Sequence, residues 1–205
     1  MLNEKPVQII VNGRAAITLM TSEEKKTNLV VGAMLTEKVI ESLDDVESII
    51  EEDSQVSVIT KNPYSILLSR KTVLAGCGGA SSFLDSGKLG HISSDLSVSK
   101  EDLMKAAEAV SNTLWFSGGL FSSNGNMLKA AEDISSQNVL DVLIGFALLE
   151  KVDLGNCFVV LKGNAVTETV RKAVIANIPV LAVFGETTAP ACDTAEEAGL
   201  RLIIF

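Results

Sequence analysis

The sequence predicts an α/β fold with a small amino-terminal appendage, and three stretches carry that prediction. "CFVVLKG" and "PVLAVFG" are short β-branched runs that each end in glycine, with the helical "AVTETVRKAVIAN" between them. That spacing points to a parallel crossover, because parallel neighbours cannot be joined by a tight turn. "NVLDVLIGFALLEK" is largely apolar, the pattern of a helix buried against a sheet. "VQIIVNGRAAITLM" reads as a hairpin around Asn12-Gly13, since a type I′ turn needs positive φ at both central residues.

In chain order, the hairpin is followed by "TSEEKKTNLVVGAMLTEKVIESLDD". Ser22 is placed to cap a helix there, and Leu29, Val30, Ala33 and Met34 form its apolar stripe. "SLDDVESIIEED" reads as a charged junction, and "QVSVITKN" as a strand that stops at Pro63. Residues 1–65 thus form a ββα-type subdomain and residues 66–205 the α/β core. In the core, "SKEDLMKAAEAVSNTL" is a helix whose Ser99-Lys-Glu-Asp start resembles a capping box. "TAEEAGLRLIIF" closes the chain with a short helix and a last strand.

Composition narrows the function. Of 205 residues 47% are hydrophobic and 21% charged, enough apolar material for a full core. Mean hydropathy is high at +0.33, yet no apolar run reaches the ~20 residues a bilayer needs, so no membrane span is expected. "MLNEKPVQII" lacks a basic region before a long apolar core, which points to the cytoplasm. A net charge of −9 argues against DNA or RNA as partner, since no basic surplus exists to displace counterions. A nucleotide site built from backbone amides stays open. The three cysteines are far apart, no Cys-x-x-Cys occurs and His91 is the lone histidine, so neither a disulfide framework nor a metal site is expected.

Four loops rich in Gly, Ser, Thr or Asn could line one pocket beyond the strand ends: "AGCGGASS", "FSGGLFSSNGN", "LKGNAVTE" and "FGETTAPA". Each could equally just turn the chain. Cys157 opens an apolar run and Cys192 follows Pro190 in a helical stretch, and both read as small buried hydrophobes. Cys77 differs. It stands between Gly76 and Gly78, on a segment too flexible to bury it well, and neighbouring amides would favour its thiolate.

Taken in order, these loops resemble those of the formate dehydrogenase accessory sulfurtransferases, the FdhD/NarQ family. That family's early Asn-Gly…Met-x-Thr-Pro segment resembles "VNGRAAITLMTSE", and its next helix resembles "NLVVGAMLTEKVIE". Its Cys-Gly-x-Cys-Gly loop falls on Cys77-Gly78-Gly79-Ala80-Ser81, and its Thr-Gly-Gly-x-His on Ser117-Gly118-Gly119-Leu120-Phe121. Its long Arg-Glu-Asp signature lies without gaps on "AEDISSQNVLDVLIG", keeping Glu132, Asp133, Asn138, Asp141 and Gly145. Ser-Gly-Arg falls on Lys162-Gly163-Asn164, and the closing motifs on "GETTAPACDTAEEAGLRLIIF". The resemblance spans essentially the whole chain.

The resemblance implies a cytidine-deaminase-like three-layer core with a mixed sheet, and a homodimer. It implies a sulfurtransferase in which Cys77 takes sulfur as a persulfide from a cysteine desulfurase. The sulfur then passes to the molybdenum or tungsten bis-molybdopterin guanine dinucleotide cofactor that serves formate dehydrogenase. Gly118, Gly119, Asn138, Asp141, Gly163, Thr187, Thr188 and Phe205 are the candidates for the guanine-nucleotide site. Each also has a structural reading, in turns, caps or core hydrogen bonds. The chain departs from the family at Ala80, Phe121, Ala131, Ser136, Gln137 and Asn164, where a cysteine, histidines or arginines are expected. Those departures favour a second reading, a non-catalytic paralogue that binds a molybdopterin enzyme or a desulfurase. Zinc-dependent deamination is excluded, because neither His-x-Glu nor Pro-Cys-x-x-Cys is present.

Overall fold

Asn12 (φ 51°) and Gly13 (φ 76°) both take positive φ, and the strands they join, β1 (Lys5–Val11) and β2 (Arg14–Thr21), pair antiparallel. This computed structural model describes residues 4–22, 26–63, 73–74, 89–110 and 115–205. Next come α1 (Lys26–Thr36), β3 (Val46–Glu51), β4 (Gln55–Thr60) and β5 (Val73–Leu74). Together the five strands form one mixed sheet in the order β3-β4-β1-β2-β5. The stretch read as a charged junction is therefore partly a strand. As an edge strand β3 pairs on one side only, so its glutamates can stay in water.

The second half supplies α2 (Lys100–Ala109), β6 (Phe116–Ser122), β7 (Met127–Asp133), α3 (Ser136–Leu149), β8 (Cys157–Lys162), α4 (Thr167–Ile175), β9 (Val180–Phe184), α5 (Ala189–Glu197) and β10 (Arg201–Ile204). Its sheet runs β10-β9-β8-β6-β7, with β8, β9 and β10 parallel and β6 and β7 antiparallel. The crossovers expected from "CFVVLKG" and "PVLAVFG" are present. "FSGGLFS" is a buried central strand rather than a loop, and β7 adds an element the sequence pattern does not announce. Two glycines hide the strand's alternation. Gly118 is required there, because a Cβ would lie 2.8 Å from both Leu161 and Val139.

Alternation along β6, β8 and β9 splits the apolar side chains between two faces. Phe121, Phe158, Val160, Val180 and Ala182 pack with Leu103 and Ala106 of α2. Leu120, Val159, Leu161, Leu181 and Val183 pack with α3, α4 and α5 in the larger core, which runs on through α1 to Val7, Ile9 and Val56 of the first sheet. The second sheet is thus the middle of three layers. Among the described residues no helix is long and apolar enough to cross a membrane.

The two halves meet where α1 crosses α3, and the contact is backbone on backbone. A Cβ on Gly32 would lie 1.8 Å from the Asp141 carbonyl oxygen, and one on Gly145 would lie 1.8 Å from that of Asn28. Gly32→Ala should gain about 1 kcal/mol of helix propensity. It must also push the facing backbones apart, which costs up to about 3 kcal/mol or more, so a net loss of about 2 kcal/mol is expected. A lower urea midpoint at unchanged slope would show it; an unchanged or raised midpoint would refute the contact.

At its amino end α1 is capped from a distance. Glu51 accepts from the backbone N–H groups of Lys26 (3.2 Å) and Thr27 (2.9 Å), the role expected of Ser22. Burial raises the Glu51 carboxyl, but the Thr27 hydroxyl and these backbone bonds together more than offset it and hold it below its ordinary value.

Candidate functional site

The ends of the parallel strands set the site. Register pairs Lys162 with Phe184, Ser117 with Lys162, and Ser117 with Glu132. Phe205 follows Ile204, donates its N–H to the Val183 carbonyl at 2.9 Å, and stacks on Phe184 with centroids 4.3 Å apart. A single cross-strand row, Phe205–Phe184–Lys162–Ser117–Glu132, therefore crosses all five strands at the carboxyl edge. Pleat alternation puts the row on the α2 face. Phe205 is 38% exposed and Trp115, at the start of β6, is 72% exposed. The row thus offers an aromatic stack, an ammonium, a hydroxyl and a carboxylate over about 19 Å, from strand spacing.

Polar capacity at this edge is partly unspent. Lys162 Nζ donates to the Val110 carbonyl at 2.7 Å, leaving the ammonium further protons to give. Ser117 Oγ and Thr187 Oγ1 are buried without a hydrogen-bond partner among the described residues. Neither Val166, which caps α4, nor Thr188, which caps α5, makes a side-chain cap bond. Helix-start amides not taken up by a cap favour an anion.

The loops that carry these starts are packed through glycine. Gly163 takes φ 136°, and a Cβ there would lie 2.4 Å from the Phe116 ring. A Cβ on Gly185 would lie 2.2 Å from the Gly163 carbonyl oxygen. Beyond the strands the loops stay paired, with Ala165 N–H donating to the Glu186 carbonyl at 2.9 Å and a parallel bridge between Ala165 and Thr187.

Of the predicted site residues, Gly163, Thr187, Thr188 and Phe205 come together at this edge. Gly118 and Gly119 are buried inside β6, next to Ser117. Asn138 lies at the start of α3 and donates to the Met20 carbonyl (2.7 Å) and to Asp133 (3.0 Å), which also accepts from the Thr21 hydroxyl at 2.5 Å. Asp141 is placed elsewhere, buried between helices. Its carboxylate accepts from Lys172 Nζ (2.8 Å) and from the Thr36 hydroxyl (2.8 Å). Glu37 bonds Lys172 (3.1 Å) and Arg171 (3.2 Å), and Arg171 also bonds Glu168, so the network ties α4 to α3 and to the end of α1. Cys77 lies outside the described residues.

Sequence reasoning missed Ser117, Lys162 and Phe184 as site members. The signal was present: each is the strand residue just before a glycine of the quoted loops. Of the other cysteines, Cys157 is buried, and burial together with Asp153 pushes its thiol up. Cys192 is half-buried rather than buried, since α5 turns it partly outward. Two positions where the family's charges are missing are core here. Phe121 stacks on Phe158 at 5.1 Å, and Ala131 faces the larger core.

Residues 2–205 match the FdhD/NarQ family. The chain belongs to that family. A protein named sulfur carrier protein FdhD from Saccharolobus solfataricus is 32% identical over 201 residues, covering 93% of this chain and 77% of that one. One of the same name from Sulfurisphaera tokodaii is 31% identical over 202 residues, covering 93% and 78%. A crystal structure described as that of a formate dehydrogenase accessory protein from Desulfotalea psychrophila superposes with a TM-score of 0.79 at 16% identity, over 98% of this chain and 82% of that one. That likeness shows the same α/β fold. Within the family, the row at the carboxyl edge gathers pieces of four separate motifs: Ser-Gly-Gly, Glu-Asp, Lys-Gly and the terminal Phe.

Proposed function

We propose that this chain is a cytoplasmic sulfur carrier that loads Cys77 from a cysteine desulfurase and delivers the sulfur to a bis-molybdopterin guanine dinucleotide cofactor, of molybdenum or tungsten, bound for formate dehydrogenase. The observation that supports the reading is the match of residues 2–205 to FdhD/NarQ, together with the resemblance of Cys77-Gly78-Gly79-Ala80-Ser81 to that family's cysteine loop.

In loading, the Cys77 thiolate attacks the terminal sulfur of the donor persulfide, a Cys77 S–S bond forms, and the donor leaves as thiolate. Handing that sulfur on as sulfide needs a thiol to capture the Cys77 sulfur as a disulfide. The family's second loop cysteine is Ala80 here, so the capturing thiol comes from another molecule.

The cofactor is the substrate, and the carboxyl edge fits its nucleotide end. Phe184 and Phe205 offer a face for a base; Lys162, Ser117, Thr187 and the open helix starts offer donors to phosphate. With three family arginine positions occupied by Ala131, Ser136 and Asn164, Lys162 is the cation on the row. The protein pairs with a second copy of itself in this reading.

Two assays test it. Incubation with a desulfurase and cysteine should add one sulfur atom to the intact mass. GDP at about ten times its dissociation constant should raise the melting temperature by about 3–6 °C. No shift at millimolar GDP would refute the nucleotide site and leave sulfur loading standing. No mass gain would favour the non-catalytic scaffold that the missing arginines and histidines suggest.

A further inference from the structure

Two Asn-Gly pairs turn hairpins in the described part of this chain, and their side chains are held in opposite ways. Asn12 and Gly13 join β1 to β2, while Asn124 and Gly125 lie in the turn from β6 to β7. Asn12 is pinned by β4. Its carboxamide donates to the Thr60 hydroxyl at 2.7 Å and accepts from the Thr60 N–H at 2.9 Å. Asn124 is exposed, and its Oδ1 accepts from the Ser122 hydroxyl at 2.5 Å. The other acceptor within reach of that hydroxyl, the Asn126 carbonyl, is further off at 3.2 Å. A bond from the Gly125 N–H to the Ser122 carbonyl, 2.9 Å long, closes the tip, with Gly125 at φ 84°.

We propose that Asn124 is a site of self-modification, where the chain converts an amide to an acid without a second enzyme. Glycine follows it, so no Cβ shields the backbone nitrogen. When the exposed tip opens, the Gly125 nitrogen gives its proton to water and attacks Asn124 Cγ. A C–N bond forms, the side-chain nitrogen leaves as ammonia, and a cyclic succinimide remains. Water then opens the ring at either carbonyl, giving aspartate or isoaspartate. No oxidant or reductant enters. The Ser122 hydroxyl assists, because it donates to the oxygen on which negative charge gathers as the nitrogen attacks. Asn12 has the same neighbour but a different constraint. Its amide must break two bonds to Thr60 before it can swing toward Gly13, which slows the reaction there about 30-fold.

The product alters a shaped part of the surface. The turn borders a cleft of about 600 Å³ between α2 and the hairpin, whose charged lining, among the described residues, is Asp102 and Lys105. A carboxylate at position 124 turns that balanced lining negative, so the cleft comes to favour cations over anions.

Incubation of the full chain in mildly alkaline buffer, sampled over days by ion exchange and peptide mapping, tests it. Wild type should release ammonia and gain one negative charge, located at Asn124 as aspartate and isoaspartate, while Asn12 reacts about 30-fold more slowly. Ser122→Ala should slow conversion at Asn124 about 5-fold, the worth of one hydrogen bond. Thr60→Val removes one of the two bonds on Asn12 and should speed that site by about the same factor. Circular dichroism checks that each variant folds; if Ser122→Ala does not, the two sites of wild type decide. Retention of the amide at Asn124 overturns the proposal, as does equal conversion at Asn12 and Asn124. An unchanged rate in folded Ser122→Ala overturns the assistance by its hydroxyl.

Discussion

Cys77→Ala is expected to abolish sulfur loading outright. After incubation with a desulfurase and cysteine, wild type should carry one added sulfur and the variant none. The contrast is large because the other two thiols are poor substitutes. Cys157 is buried and its thiol is pushed up by burial and by Asp153, which keeps it protonated and inert. Cys192 is half-buried on α5 and serves as the internal control. Cys192→Ala should load like wild type. Equal loading of wild type and Cys77→Ala would remove Cys77 from the reaction, and loading that follows Cys192 would move the carrier to α5.

Lys172→Met should be the most damaging change away from Cys77. Burial favours a neutral amine at Lys172, but Asp141 and Glu37 more than offset it and hold the ammonium above its ordinary range. Removing the ammonium leaves Asp141, itself pushed up by burial, without its cation in a closed interior. Breaking a buried pair from one side costs about 3–5 kcal/mol, or roughly 10 °C in melting temperature for a chain of this size.

The pH dependence carries the sign. Because the folded value of Lys172 lies above the unfolded one, its stabilisation is complete below about pH 10.4 and fades as pH rises through the raised value. In the variant, Asp141 must fold as the acid, so the penalty should shrink below about pH 4 and grow as pH rises from there. Melting curves from pH 4 to 11 would show the gap between the two proteins widest near neutrality and narrowing at both ends. A parallel offset at all pH values would mean that Lys172 acts by packing alone.

Much of this arrangement is legible in the residues, and the rest is hidden for identifiable reasons. The Asn12-Gly13 hairpin, the helix capped by Ser99 and the crossover from β8 through α4 to β9 follow from local chemistry and appear where expected. β6 is concealed because Gly118 and Gly119 remove the alternation that marks a strand, and only the packing of Val139 and Leu161 explains Gly118. β3 is concealed by its glutamates, which an edge strand tolerates. Asp141 shares a helix with Asn138, which groups the two in sequence. Nothing local shows that Lys172, 31 residues on, claims its carboxylate. The row at the sheet edge is likewise a product of register: Ser117 and Lys162 lie opposite each other across antiparallel strands, with no sequence spacing to betray it.

The glycine crossing of α1 and α3 also constrains how the molecule can change shape. Shear between packed helices relies on a layer of side chains that can repack by small slides. Here the peptide groups themselves are seated against one another at Gly32 and Gly145, with no such lubricating layer between them. Displacement along that crossing would jam a neighbouring Cβ into a carbonyl within one residue. Sliding at that crossing is therefore opposed, and the two sheets stay clamped as one frame.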